Sequence, residues 1–367
     1  MIYRRHYIAN RQVLADSGEQ TWDVRVRDPI SALWVEFRAT NGATHNVNNS
    51  LPEVIDKIEL IDGSKVICSM SGVEAFALAC YSLGKFPYHN FTEWPGDIPV
   101  IGIPIFFGRR FFDAQYAVDP TRFTNLQVRI KWNLANVRAV GATGYVTGTA
   151  YVTIFADLQE GGGAPQGYLL HKQIYAFTSA ESGVVYIDLP VDYPYKGILI
   201  RAAKAATYLD ALLTAVKVTC DADKFVPVDI RMSELMTSYP FGSPLFNYAH
   251  DFHLKNADTY YTILKREERP AVDVEDTADC VVGLFHVGYG EGNASVYVAG
   301  SASGSYRNIS AHVSGYLPYG AWHLPFGNPE VVEDYLPAPS YKSVRLELTE
   351  GAASGACSVV TSQLVRG

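Results

Sequence analysis

The sequence predicts an all-β chain: two tandem eight-stranded jelly rolls, each with a short helix after a hairpin. Three observations carry that reading. Alternating apolar and polar residues, the period of a half-buried strand, recur along the chain between turn residues. A hairpin-and-helix unit at Val54–Pro87 returns in altered form at Leu212–Pro240. The length, 367 residues, is comfortable for two β-domains and too great for one ordinary β-domain.

The first unit is the clearest stretch. Ile58 and Leu60 alternate with Lys57 and Glu59 as a strand does. Asp62-Gly63 is a tight-turn dipeptide that returns the chain as Lys65 to Met70. Ser71 with Glu74 three residues on makes a capping box, and Val73, Phe76, Ala77 and Cys80 give the helix an apolar face. Gly84 and then Pro87 end it. In the second unit, 158 positions on, Val216 and Val218 stand for Ile58 and Leu60. Asp229 stands for the cap Ser71, and Tyr239-Pro240 for Phe86-Pro87. Ile103 to Gly108 is echoed by Leu324 to Gly327, and Val128-Arg129-Ile130 by Val344-Arg345-Leu346. A repeat of this kind points to duplication.

In chain order, residues 1–20 read as a polar arm carrying Arg4, Arg5 and Arg11. The first roll is expected at 21–158. Its strands include Trp22–Val26, Ile30–Ala39, the hairpin, Ile98–Phe107, Leu126–Trp132 and Tyr145–Phe155. A Gly-rich linker follows at 159–167. The second roll is expected at 168–367, with strands at Tyr168–Phe177, Val184–Leu189, Ile198–Ala203 and Leu212–Val218. Between its helix and the Leu324-Pro325-Phe326-Gly327 strand lies an insert, Phe241–Trp322, of 82 positions where the first unit has 10. The insert holds strand candidates at Val281–Val287 and Ala294–Val298. Its Gly- and Ser-rich piece Gly300, Ser301, Ser303, Gly304, Ser305, Tyr306 reads as an exposed loop tip.

Composition narrows the function classes. Hydrophobic residues are 48% and charged residues 19%, which suits a folded chain with ample core. A net charge of −8 gives no overall footprint for nucleic acid, and no sequence-specific nucleic-acid binding is expected. Five cysteines, odd in number and without a CxxC pair, read as reduced thiols of a protein made in cytoplasm. The N-terminus has no secretory core segment.

His250 and His253 have neither HxH nor HExxH spacing. No G-x-S-x-G elbow occurs, and Gly161-Gly162-Gly163 lacks the Lys of a phosphate loop. Glu330, Glu333 and Asp334 read as solvated surface rather than an acid–base pair. No catalytic residue, metal site or cofactor is expected.

Two tandem eight-stranded units, each with a short helix after a hairpin, resemble the double jelly-roll major capsid proteins of the lineage that includes tectiviruses and adenoviruses. The resemblance rests on Val54–Pro87 with Leu212–Pro240, the paired terminal strands, the linker and the size. It implies a non-enzymatic homotrimer whose six rolls form a pseudo-hexagonal capsomer of an icosahedral shell, in a virion assembled from protein made in the host cytoplasm. It implies neighbouring capsomers, minor capsid proteins and an internal lipid membrane as partners. On this reading Arg4, Arg5 and Arg11 sit on an inward arm, and the insert is an outward tower. The alternative is a secreted glycan-active or glycan-binding protein on two β-sandwiches.

Overall fold

The computed structural model describes residues 1–366 except 45, 47–49, 91, 93, 138–140, 142–143, 206, 238–243, 245, 256–258, 265–267, 276–279, 286–291 and 299–305. For 236–237, and for the strands from 247 to 313, it describes the backbone alone.

The first roll holds β1 (Ile2–Leu14), β2 (Ser17–Asp23), β3 (Ile30–Arg38), β4 (Ile55–Asp62), β5 (Lys65–Met70), β6 (His89–Asn90), β7 (Val100–Phe106), β8 (Leu126–Asn133) and β9 (Ala150–Glu160). One sheet runs β1-β9-β3-β7-β6 and the facing strands run β2-β8-β4-β5. The second roll holds β10 (Gly167–Thr178), β11 (Gly183–Leu189), β12 (Tyr195–Ala203), β13 (Leu213–Cys220) and β14 (Phe225–Arg231). After an insert it is completed by β21 (Ala321–Pro325), β22 (Val344–Glu350) and β23 (Ala356–Arg366). Its sheets run β10-β23-β12-β21 and β11-β22-β13-β14. The strand order of one roll therefore maps onto that of the other. Each hairpin β4–β5 and β13–β14 leads into a helix, α2 (Gly72–Leu83) or α4 (Met232–Thr237), and single turns α1 (Leu51–Val54) and α3 (Leu209–Leu212) precede the hairpins.

The duplication extends to irregularities. The ladder of β1 on β9 shifts between Tyr7 and Ala9, and that of β10 on β23 shifts between Gln173 and Tyr175. The ladder of β3 on β9 shifts between Ile30 and Ala32, and that of β12 on β23 between Tyr195 and Gly197. Bulges re-aim side chains and pin register, so finding them at matching rungs marks one plan used twice.

Three expectations are corrected. Residues 1–20 are not an arm: β1 pairs with β9 from Ile2↔Glu160 to Leu14↔Ala150, and β2 begins at Ser17. The stretch reads as polar because β1 is an edge strand with most residues exposed, and register shifts on either side of Ala9 break its alternation. The strand expected at Trp22–Val26 is β2, Ser17–Asp23. Asp229 is not a helix cap; it lies in β14 opposite Lys217, and the helix starts at Met232. The second hairpin turn is longer, with Asp221, Ala222 and Asp223 all at positive φ, so the 158-position offset does not hold beyond it. Tyr239-Pro240 lies outside the described residues.

β9 ends at Glu160 and β10 begins at Gly167, so the connection between them is 161–166. The insert carries β15 (Phe246–Lys255), β16 (Thr259–Leu264), β17 (Glu268–Glu275), β18 (Cys280–Phe285), β19 (Gly292–Val298) and β20 (Tyr306–Tyr316). These form two three-stranded sheets, β15-β20-β17 and β16-β19-β18. Four cysteines among the described residues, Cys68, Cys80, Cys220 and Cys357, are free and buried.

Candidate assembly interface

The two rolls are joined by backbone. β5 pairs in parallel with β10 at Cys68↔His171 and Ser69↔Lys172. That short bridge fuses two four-strand sheets into one of eight, β2-β8-β4-β5-β10-β23-β12-β21.

Helix α2 is the wedge of the junction. Nine of its twelve residues are buried, more than one apolar stripe requires, because it lies between the rolls. Ser71 and Glu74 form the expected capping box, and Gly84 closes the helix at φ 66°. The buried Glu74 carboxylate has a second duty: it accepts a hydrogen bond from Ser358 Oγ of β23. Tyr81 Oη donates to the Ala321 carbonyl at 2.9 Å, and Phe76 meets the Tyr319 ring edge-on at 5.6 Å. Tyr319, fully buried, sits at φ 58° with its carbonyl accepting from Arg201. Phe246, at the base of the insert, packs on Tyr81 and Phe86. Glu74→Ala is expected to cost about 2 kcal/mol, since it removes a cap and orphans a buried hydroxyl. Glu74→Gln should cost clearly less, and urea unfolding of the two variants measures the difference.

A buried polar row lies beside the helix. The tertiary bulge at Tyr195–Gly197 turns Lys196 toward the first roll, where its ammonium donates to the Arg109 carbonyl at 2.7 Å. Burial pushes Lys196 down to about 8, against the pull of Glu330 and Asp113. His171 is held at both nitrogens, by the Phe106 carbonyl and Ser362 Oγ, each at 2.9 Å. A carbonyl can only accept, so Nε2 carries the proton and Nδ1 accepts from Ser362. Burial pushes His171 down to about 4. Gly197 is required here: a Cβ would stand 2.6 Å from His323 Nε2 and 2.7 Å from the Leu324 carbonyl. Ala75, Leu78, Ser82, Phe106, His171 and Lys196 line a narrow cleft at this point.

At the far end of the junction, Tyr116, Leu169, Val332, Tyr335 and Leu364 form a small apolar cluster. Arg109 lies 4.9 Å over Tyr116, bonds both oxygens of Asp113, and reaches the Glu330 carbonyl at 3.2 Å. Burial would raise the Asp113 carboxyl, but Arg109 and the Gln115 amide hold it below the usual range.

The sequence-predicted residues fall elsewhere. Arg4 pairs with Asp28 and Glu160, and Arg5 with Asp157 while lying over Trp34 and Phe155. Arg11 is exposed at φ 45°, 5.9 Å over Tyr151. The structure brings Arg4 and Arg5 together on β1 but places none of the three on a free arm. Gly300, Ser301, Ser303, Gly304 and Ser305 lie outside the described residues, and only the backbone of Tyr306 is described, in β20. The side chains of His250 and His253 are likewise outside. Among the described residues no cluster of His, Cys, Asp and Glu is placed to hold a metal. Sequence reasoning missed His171, Lys196 and Gly197. A buried His in an apolar strand start, Tyr168-Leu169-Leu170-His171, was the one signal that could have drawn attention.

No protein-family model and no curated protein matches the chain. Solved structures do. The major capsid protein of Sulfolobus Turreted Icosahedral Virus superposes with a TM-score of 0.59 at 12% identity, over 100% of this chain and 97% of that one. The capsid protein of the virus PBCV-1 gives 0.57 at 12%, over 99% and 93%. The major capsid protein of bacteriophage PM2 gives 0.52 at 10%, over 99% and 98%. The match runs end to end in each case, and with the strand order above it means that this chain has the double jelly-roll fold.

Proposed function

We propose that the chain is a viral major capsid protein that assembles as trimers into pseudo-hexagonal capsomers of an icosahedral shell. One observation carries this reading: two rolls of one plan are welded into a single body, and that body spans nearly the full length of three capsid proteins. Three copies of a two-roll chain give six similar units around one axis, which is what a hexagonal tile needs. The same likeness supports the capsid reading over the glycan-active alternative. The protein is then a structural component of the virion and not an enzyme.

The insert, with six strands of its own, is assigned as a tower pointing away from the shell, and 300–306 as its tip. Arg4 and Arg5 are satisfied by carboxylates within the roll, so contact with an internal membrane or minor capsid proteins is proposed for Arg11 alone. Light scattering on purified protein should give three times the chain mass of 40.4 kDa. Electron microscopy should show six-lobed particles. A monomer at micromolar concentration, in both low and high salt, would overturn the proposal.

A further inference from the structure

Inside the chain the rolls meet in one way, and the matching parts recur unmet on the outside. In the internal junction, edge strand β5 pairs in parallel with β10, and α2 packs on β12 and β21 and reaches β23 through Glu74 and Ser358. By strand order the counterpart of β5 is β14, that of α2 is α4, and that of β10 is β1. Both β14 and β1 end their sheets among the described residues.

The ladders fix the correspondence residue by residue. Leu60↔Cys68 and Glu59↔Ser69 in the first hairpin match Val218↔Val228 and Lys217↔Asp229 in the second. Counting back from the shared bulge, His171↔Ser362 and Lys172↔Thr361 match Arg5↔Asp157 and His6↔Ala156. The covered and uncovered faces differ as this predicts. Leu199 and Val360, in the core cluster that also holds Val73, Phe76 and Ala77 of α2, are each 1% exposed. Their counterparts Trp34 and Phe155 stack on one another half-buried, and Tyr7 beside them is 57% exposed. Asp157 holds that face in order, accepting from Arg5 and from Trp34 Nε1 at 2.7 Å. On the other side, Phe225 and Val226 of β14 are exposed, as are Ser233 and Glu234 of α4, whereas α2 is buried at all of its matching turns. The pairing would set Asp229 of β14 against His6 of β1, while Arg4 and Arg5 keep their own carboxylates Asp28, Glu160 and Asp157.

We infer that β14 of one copy pairs in parallel with β1 of a second copy, Val228 against Arg5 and Asp229 against His6, while α4 seats on Trp34 and Phe155. This rests on the capsid reading and names the surface by which it is carried out. The contact is head-to-tail, using one patch on each roll, so it propagates from copy to copy, and three copies make the ring that the capsid reading requires if the rotation closes. The pairing also gives partners to two backbone edges that would otherwise template indiscriminate association.

The test is cross-linking in the full chain. His6→Cys with Asp229→Cys, oxidised and run without reductant, should give species of two and three chains that collapse on reduction, with wild type under the same oxidant as the control. Independently, Asp229→Arg should weaken assembly roughly tenfold, and adding His6→Asp should restore it. Trimers that form without that cross-link and ignore the charge reversal would sink the edge pairing and leave the capsid reading standing. Monomers of well-folded wild-type protein would sink both. If the cysteine pair fails to fold, the charge reversal and its rescue decide alone.

Discussion

Phe76→Ala is expected to lower stability by about 4 kcal/mol, the range for emptying a fully buried aromatic site. Phe76 has no exposed surface and stands 5.7 Å from Phe86 and 5.6 Å from Tyr319. The void would open where α2, the first roll and the second roll meet. The backbone of Tyr319 is held in the left-handed region with its carbonyl bound by Arg201, so the main chain there is not free to close the void. Phe76→Leu should cost less than half as much. The urea midpoint of each variant measures this, and a loss below about 1 kcal/mol for the alanine variant would show that α2 does not hold the rolls together.

Acid is expected to weaken the same junction. His171 falls to about 4 in the folded chain from an ordinary 6.5, chiefly through burial, with the Phe106 carbonyl opposing the drop and Lys196 adding to it. As pH falls through 6.5 the unfolded chain takes up the proton first, so stability is full above 6.5 and declines toward 4. At 1.36 kcal/mol per unit the loss from this group is about 3 kcal/mol. His323 is pushed down by burial, by Lys196 and by His171, and adds a loss of the same sign that also begins as pH falls through 6.5. Lys196 titrates on the alkaline side: its folded value near 8 lies below 10.5, so it lowers stability as pH falls from 10.5 to 8 and is constant through the histidine window. Glu330, Asp113 and Arg109 are the other charges facing it. Urea midpoints at pH 7 and 4.5 should differ, and His171→Gln should roughly halve the difference, with His323 supplying the rest. An acid profile unchanged by that substitution would remove His171 from the account.

What could be read in the sequence was local chemistry. Asp62-Gly63, the Ser71–Glu74 box and Gly84 each act within a few residues, so the hairpin and helix stood out. The repeat stood out because Ile58 and Leu60 return as Val216 and Val218 with the same alternation. β1 was lost for a physical reason: its pairing partner, β9, is about 150 residues away, and an edge strand carries Arg4, Arg5 and His6 at no cost in burial. The Asp229 error came from a turn whose extra residues shift the frame. The junction was hidden because a bulge decides where Lys196 points, and because Glu74 serves α2 and β23 at once.

The bridge between β5 and β10 is two residue pairs long, whereas β1 lies on β9 over ten and β10 on β23 over eleven. A ladder pulled along its strands breaks all its bonds together; one pulled across them opens a bond at a time. Under load the long ladders keep each roll intact, and the short bridge is the place where strain collects. There the helix takes over, because Phe76, Tyr81 and Glu74 grip the second roll by side chains rather than by strand pairing. The two kinds of joint therefore differ: within a roll, cohesion lies in long backbone ladders, and between the rolls it lies in a two-pair bridge and the side chains of one helix.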